Sequence, residues 1–215
     1  MNINLTYNIS LPSNLEEGKK YPVIYAMHGM GSNEKYIISI IEELKEDFII
    51  IGIRGPITKN SGFTYFTIKS FGNPDVVSLD EVVEKLEVFI DNAPKRYAID
   101  SSRQYLFGFS QGAILSMTLA LKMGNKIKGI AALSGYIPKH VKETYTVKDV
   151  SEMSIFIAHG EVDEVFPLKI GQENYEFFKA RSELLSFNSY QIGHQISLAE
   201  KNDIIAWFGE MKRQL

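Results

Sequence analysis

The sequence predicts a doubly wound α/β domain, with a mostly parallel central sheet and helices on both of its faces. Two observations lead to this fold class: short runs rich in Ile, Val and Phe, and longer segments between them with apolar residues at helical spacing. Apolar runs without polar alternation are typical of strands covered on both faces. The predicted strands cover residues 23–27, 48–53, 104–109, 129–133, 154–158 and 187–192.

The two ends of the chain and the segment before the third predicted strand add further elements. Apolar and polar residues alternate over residues 3–11, which predicts a strand with one buried face. Helical spacing from Leu79 to Ile90 predicts a helix that starts behind a capping box of Ser78 and Glu81 and ends at Pro94. Ser197 and Glu200 form the same capping pattern before the last helix.

Composition limits the domain count and the partners. The chain of 215 residues has no repeat, linker or composition shift, so we expect one domain over residues 1–215. A net charge of −3 argues against binding to nucleic acid or to an anionic membrane surface. The longest apolar run, residues 48–53, is too short for membrane insertion. The absence of cysteine and of a signal-peptide pattern favours a reducing, cytoplasmic compartment.

A candidate nucleophile lies between the third predicted strand and the helix after it. Residues 108–112 read GFSQG, which puts Ser110 on a sharp strand-to-helix turn with glycine two positions away on either side. Small residues there let the strand and the helix approach each other closely. In an open parallel sheet, ligands bind beyond the carboxyl ends of the strands, which is where this turn lies.

A serine hydroxyl needs a base to take its proton and an acid to orient that base. On this type of fold the chain order is Ser, acid, His, and His194 is the histidine that leaves room for an acid after the fifth strand. It directly follows the sixth predicted strand. We expect His159 to be structural and His140 to lie on the surface.

The acid is expected in the loop after the fifth predicted strand, which contains three carboxylates. We select Asp163. Glu164 precedes the helix expected near Pro167 and is interpreted as a solvated charge, and Glu161 as a residue of the turn after Gly160.

A glycine-rich turn, residues 28–33 (HGMGSN), follows the first parallel strand. A dinucleotide fingerprint would need a third glycine where Glu34 stands, and a carboxylate there would repel a pyrophosphate. The turn is instead interpreted as half of an oxyanion hole, in which the N–H groups of Met30 and Gln111 stabilise a developing negative charge. A tight turn without a ligand is the alternative.

Together these motifs resemble the small carboxylesterase, phospholipase and acyl-protein thioesterase branch of the α/β-hydrolases, over nearly the whole chain. The motifs that carry the resemblance are residues 28–31 (HGMG), 62–66 (GFTYF), 108–112 (GFSQG), 159–160 (HG) with Asp163 and Pro167, and 193–194 (GH). The resemblance implies the α/β-hydrolase fold without a large cap domain, a catalytic triad of Ser110, Asp163 and His194, and an oxyanion hole at Met30 and Gln111. The chain departs from the family where a second glycine is often found, at Ala113, and where an aspartate is often found, at Ser32.

The expected function is hydrolysis of carboxylic esters with short to medium acyl chains, through an acyl-enzyme and without a metal or organic cofactor. Phe63, Tyr65 and Phe66 are expected to bind substrate, and Phe71 lies in the same aromatic connection. Packing within this long loop is the alternative for these aromatic residues. A thioesterase, a lysophospholipase or a serine peptidase would share the catalytic residues, and a non-catalytic binding protein on the same fold is a further alternative. The expected partner is a small-molecule ester, and a homodimer is left open.

Overall fold

The computed structural model of the protein describes residues 5–70 and 72–213, and a twisted sheet runs through the centre of this part of the chain. The strands in these residues are, in chain order, β1 (Tyr7–Ser10), β2 (Tyr21–Met27), β3 (Ile49–Ile53), β4 (Ile57–Lys59), β5 (Gly62–Thr64), β6 (Ile68–Ser70), β7 (Asn73–Pro74), β8 (Ile99–Phe109), β9 (Gly129–Leu133), β10 (Ser154–Gly160) and β11 (Leu185–Tyr190). The predicted N-terminal strand begins at Ile3, and its first two residues lie outside the described ranges.

The central sheet has the strand order β1-β3-β2-β8-β9-β10-β11. All neighbouring strands in it are parallel except β1, which pairs antiparallel with β3. Every residue of β2, β3, β9 and β10 is buried. The mostly parallel sheet predicted from the apolar runs is therefore confirmed, and all six predicted runs form strands within it.

Helices cover both faces of the sheet. They are, in chain order, α1 (Glu34–Ile40), α2 (Val76–Arg96), α3 (Gln111–Met123), α4 (Lys139–Thr144), α5 (Leu168–Lys179) and α6 (Leu198–Arg213). One apolar core contains buried residues of α2, α3 and α5, and a second core on the opposite face contains buried residues of α1 and α6. Among the described helices, none combines the length and the apolar character needed to cross a bilayer.

The start and the end of α2 differ from the prediction. Its N-cap is Asp75, whose carboxylate accepts a hydrogen bond from the Ser78 N–H at 2.9 Å, so the predicted capping box at Ser78 is wrong. Pro94 lies inside the helix instead of ending it. A proline has no N–H for the Ile90 carbonyl, and the Tyr25 hydroxyl, which donates to the Gln104 Oε1 at 2.8 Å, lies 3.5 Å from that carbonyl oxygen.

The capping box of α6 is confirmed. The Glu200 N–H donates to the Ser197 hydroxyl at 3.1 Å, and the Ser197 N–H donates to the Glu200 carboxylate at 3.4 Å. This reciprocal pair fixes the start of α6.

Two short antiparallel hairpins, β4–β5 and β6–β7, lie between β3 and α2. The first hairpin packs on the glycine-rich turn after β2, because the Gly31 N–H donates to the Phe63 carbonyl and the Phe63 N–H donates to the Ser32 carbonyl, both at 2.8 Å. Neither hairpin is large enough to form a cap domain over the carboxyl edge of the sheet.

Candidate active site

Three side chains from three different strand ends form one hydrogen-bonded line at the carboxyl edge of the sheet. Ser110 follows β8, Asp163 follows β10 and His194 follows β11. The His194 Nε2 lies 2.9 Å from the Ser110 Oγ, and its Nδ1 lies 2.8 Å from the Asp163 Oδ2. The imidazole therefore has the geometry to take a proton from the hydroxyl on one side while a carboxylate holds its other nitrogen.

Ser110 stands in strained backbone at the N-terminus of α3. Its φ of 55° and ψ of −114° lie in a region that L-residues rarely adopt. The turn requires glycine on both sides, because a Cβ on Gly112 would lie 1.9 Å from the Met27 carbonyl oxygen and one on Gly108 would lie 2.1 Å from the Gly112 carbonyl oxygen. The Ser110 N–H donates to the Leu133 carbonyl at 2.9 Å, which ties the turn to the end of β9.

Asp163 is the carboxylate that the loop directs at His194. Its Oδ1 accepts hydrogen bonds from the N–H groups of Val165 and Phe166, both at 2.8 Å. Burial raises the pKa of the Asp163 carboxyl, but the hydrogen bonds from Phe166, His194 and Val165 outweigh it, so that the pKa lies below its usual value. The carboxylate is thus held in its charged form beside the imidazole.

The other two carboxylates of this loop lie apart from the imidazole. Glu161 accepts hydrogen bonds from Ser189 at 2.8 Å and from Gln191, at exposed positions. Glu164 is exposed. Both placements agree with their interpretation as groups outside the hydrogen-bonded line.

The remaining histidines of the carboxyl half have other partners. His159 is fully buried, and its Nε2 donates to the Phe166 carbonyl at 2.6 Å, which agrees with a structural residue. His140 differs from the expected surface position: its side chain is 15% exposed and its Nε2 lies 3.0 Å from the Asp80 carboxylate, which also accepts the Tyr145 hydroxyl at 2.7 Å. This pair joins α4 to α2.

The two residues expected to form the oxyanion hole, Met30 and Gln111, line the same cavity as Ser110. Met30 lies in the turn after β2, and its N–H has no hydrogen-bond partner among the described residues. Gln111 is the first residue of α3, where backbone N–H groups have no acceptor within the helix. The Gln111 side chain holds its own turn in place: its Oε1 accepts from the Thr64 hydroxyl at 2.6 Å and its Nε2 donates to the Phe66 carbonyl at 2.9 Å.

A mostly apolar cavity of 310 Å³ opens beside Ser110 and His194. Its apolar lining consists of Met30, Tyr36, Phe66, Ile68, Phe109, Ile114, Tyr136, Val165 and Phe166. Met30 and Tyr36 are exposed and Ile114 is buried, so the cavity leads from the surface to the side of α3. A concave, mostly apolar cavity with a few polar groups is typical of a small-molecule site.

Only one of the three aromatic residues expected at the substrate lines this cavity. Phe66 does, whereas Phe63 and Tyr65 are not among the residues that line it, so their position does not support the expected contact with substrate, which stays a prediction. The Phe63 ring lies under the Arg54 guanidinium, 4.4 Å away, and Tyr65 is buried with its hydroxyl donating to the Ile53 carbonyl. Phe71 lies outside the described residues.

An ion pair at the start of α1, directly after the glycine-rich turn, was not predicted from the sequence. The buried carboxylate of Glu34 accepts two hydrogen bonds from Arg54, Nε to Oε2 at 2.7 Å and Nη2 to Oε1 at 2.6 Å. Arg54 lowers the pKa of the Glu34 carboxyl, which stays charged. The sequence signal was an acid at the first position of α1, where the helix dipole favours a negative charge.

In residues 5–70 and 72–213, no three His, Asp or Glu side chains converge to hold a metal ion.

Comparisons with known proteins place the chain in a family. The sequence profile of the phospholipase/carboxylesterase family matches residues 14–208. Acyl-protein thioesterase 1 of Candida albicans is 32% identical over 163 residues, which are 70% of this chain and 71% of that protein. MhqD of Bacillus subtilis, a protein named as a hydrolase, is 25% identical over 195 residues, which are 91% of this chain and 96% of that protein.

The fold agrees with these sequence matches. The crystal structure of the Bacillus cereus carboxylesterase superposes with a TM-score of 0.85 at 22% identity, covering 98% of this chain and 96% of that chain. At this identity the likeness establishes the α/β-hydrolase fold, and the profile match establishes the family and its hydrolase chemistry. The chain belongs to the phospholipase/carboxylesterase family of α/β-hydrolases.

Proposed function

We propose that the protein is a serine hydrolase that cleaves carboxylic esters of short to medium acyl chains, with Ser110 as nucleophile, His194 as base and Asp163 as the acid that orients it. One observation carries the proposal: the His194 imidazole bridges the Ser110 hydroxyl at 2.9 Å and the Asp163 carboxylate at 2.8 Å, beside an apolar cavity. These are the distances over which a base activates a serine.

In the proposed reaction, the Ser110 Oγ attacks the ester carbonyl carbon while the His194 Nε2 accepts its proton. Negative charge moves to the carbonyl oxygen, where the N–H groups of Met30 and Gln111 donate to it. The tetrahedral intermediate then collapses to the acyl-enzyme, and the imidazolium gives its proton to the leaving alkoxide. Water, deprotonated by the same imidazole, releases the carboxylic acid and restores Ser110.

The cavity supports the proposed acyl-chain range. Its 310 Å³ lie at the lower end of the range for small-molecule sites, about 300–1,000 Å³. Burying each methylene of an acyl chain contributes roughly 0.8 kcal/mol, so binding grows with chain length until the cavity is filled. Longer chains must then extend past the exposed residues Met30 and Tyr36 into solvent.

A thioester substrate is the second candidate, because the relative from Candida albicans is named as an acyl-protein thioesterase. The same nucleophile and base would serve, with a thiolate as the leaving group. Rates on oxygen esters and thioesters of the same acyl chain separate the two activities.

The experiment measures initial rates on p-nitrophenyl esters from acetate to laurate for the wild-type protein, Ser110→Ala and Ser154→Ala. Ser154 is a buried serine at the first position of β10, at the end of the strand away from Asp163, and serves as the matched control. We expect Ser110→Ala to lose about 10⁴-fold or more in kcat, and Ser154→Ala to stay close to wild type. A fluorophosphonate probe should label the wild-type protein at Ser110. Equal rates for wild type and Ser110→Ala would overturn the proposal.

The span of the family match, residues 14–208, supports one catalytic domain over residues 1–215. The cytoplasmic location and the homodimer stay predictions. Sedimentation velocity over a range of protein concentrations tests the homodimer.

A further inference from the structure

His28 is a fully buried histidine at the end of β2 that does not belong to the line of Ser110, His194 and Asp163. Its Nδ1 lies 2.7 Å from the Gly29 carbonyl oxygen, and the Gly55 N–H donates to its Nε2 at 3.0 Å. Because the Gly55 N–H is a donor, the Nε2 must carry a lone pair, and the ring proton lies on Nδ1. The Nδ1–H therefore donates to the Gly29 carbonyl.

The Gly29 carbonyl and the Met30 N–H belong to the same peptide unit. This unit is planar and trans, so its C=O and its N–H point in opposite directions. The Gly29 oxygen also accepts the Ser32 N–H at 3.2 Å, so the His28 Nδ1–H at 2.7 Å is the shorter of the two donors that fix the direction in which the Met30 N–H points. It also polarises the peptide unit and makes that N–H a stronger donor. Met30 lines the cavity beside Ser110, and its N–H has no partner in the described part of the chain.

The surroundings of His28 hold its ring in this one orientation. The Tyr65 ring packs against it at a tilt of 36°, with a centroid distance of 4.7 Å, and the Tyr65 hydroxyl accepts the backbone N–H of His28 at 3.1 Å. Gly55 directly follows Arg54, which pairs with the buried Glu34. Burial lowers the pKa of the His28 imidazole, which keeps the ring neutral.

We propose that His28 is a positioning residue of the oxyanion hole: its Nδ1–H, through the Gly29 carbonyl, orients and polarises the Met30 N–H toward the oxygen on which negative charge develops. This inference rests on the proposed ester hydrolysis at Ser110. It also gives Tyr65 a function, because the ring that does not reach the cavity supports the histidine behind it.

The test compares His28→Asn with His28→Gln. The Asn amide nitrogen can take the place of Nδ1 and donate to Gly29, while the Gln amide oxygen can take the place of Nε2 and accept from Gly55. Each variant thus keeps one of the two ring contacts and loses the other. The two variants are matched for polarity, and the melting temperature of each reports its effect on folding.

We expect His28→Asn to keep kcat within about fivefold of wild type. In His28→Gln, kcat should fall by about 10–100-fold with little change in KM. This loss is smaller than the fall of about 10²–10³-fold in kcat when an oxyanion donor is removed outright. The affinity for a trifluoromethyl ketone, which forms a tetrahedral adduct with serine, should fall in His28→Gln by a similar factor. The inference would be overturned if both variants lost kcat equally and in proportion to their fall in melting temperature. It would also be overturned if neither variant lost kcat.

A second measurement needs no variant. In protein labelled with ¹⁵N-histidine, the His28 ring should show a protonated Nδ1 and an unprotonated Nε2 across neutral pH. The opposite tautomer would overturn the inference. The two possible failures give different results. If the proposed function is wrong, ester hydrolysis does not depend on Ser110. If only the role of His28 is wrong, hydrolysis still depends on Ser110.

Discussion

A Cβ atom on Gly62 would lie 2.0 Å from the carbonyl oxygen of Gly31, so the β4–β5 hairpin packs in direct backbone contact with the turn that contains Met30. The Gly31 N–H also donates to the Phe63 carbonyl at 2.8 Å. The segment at residues 62–66 therefore supports the glycine-rich turn from outside, and two of its three aromatic residues, Phe63 and Tyr65, pack away from the cavity.

We expect Gly62→Ala to shift this turn and to lower kcat by about tenfold or more, with about 1–3 kcal/mol of lost stability from overpacking. The matched control is Gly209→Ala in α6, where the added Cβ meets no heavy atom within 4 Å outside the adjacent residues and the helix's own backbone. Alanine in a helix gains roughly 0.5–1 kcal/mol over glycine, so the control should keep its activity and unfold at a slightly higher temperature. Wild-type kcat and melting temperature in Gly62→Ala would contradict this role of the hairpin.

Elements with a strong local signal could be predicted from the sequence. The buried strands read as continuous apolar runs, and the box of Ser197 and Glu200 at α6 depends on residues three positions apart. The chain order of Ser110, Asp163 and His194 identified three residues that the fold brings within hydrogen-bonding distance. Their catalytic roles stay predictions.

What the sequence did not predict depends on contacts between distant segments. An aromatic residue in a long loop has the same local pattern whether it lines a cavity, as Phe66 does, or packs behind a turn, as Tyr65 does. The ion pair of Glu34 and Arg54 joins positions 20 residues apart. At α2, the sequence pattern predicted a cap at Ser78, whereas Asp75 caps the helix three residues earlier.

Asp163→Asn tests the choice of acid. The Asn oxygen can still accept the N–H groups of Val165 and Phe166, while its amide nitrogen donates to the His194 Nδ1 and moves the ring proton to Nε2, facing Ser110. We expect a loss of about 10⁴-fold in kcat, the size known for the same change in a serine protease triad. The control is Glu161→Gln in the same loop, which should stay within about twofold of wild type. A larger loss in Glu161→Gln than in Asp163→Asn would reverse the assignment of the acid.

The acyl-chain range should respond to the size of Ile114, a buried residue of α3 that lines the cavity. Ile114→Phe fills part of the 310 Å³ and should shift the preferred p-nitrophenyl ester toward shorter chains. Ile114→Leu has nearly the same volume and should leave the preference unchanged, since swaps that conserve volume typically cost less than about 1.5 kcal/mol. An unchanged preference in Ile114→Phe would mean that the acyl chain binds elsewhere.

Glu200 makes stability depend on pH. It is 1% exposed, and burial raises the pKa of its carboxyl from 4.5 to about 7, although the Ser197 N–H opposes the shift. Between pH 4.5 and 7 the folded state therefore binds more protons at this site than the unfolded state does. The free energy of unfolding consequently decreases as the pH rises through this window, and the contribution is lost above about pH 7.

Glu200→Gln removes this titration while its amide oxygen can still accept the Ser197 N–H. We expect the variant and the wild type to have similar free energies of unfolding at pH 5, and the variant to be more stable by about 1–3 kcal/mol at pH 8. Urea unfolding at several pH values between 5 and 8 measures the difference. Glu210→Gln, at an exposed position of the same helix, should show no such trend. Only a group whose proton binding changes on folding adds a pH-dependent contribution to the free energy of unfolding. If the free energies of unfolding of Glu200→Gln and wild type differed by the same amount at every pH, Glu200 would carry the same charge in the folded and unfolded states.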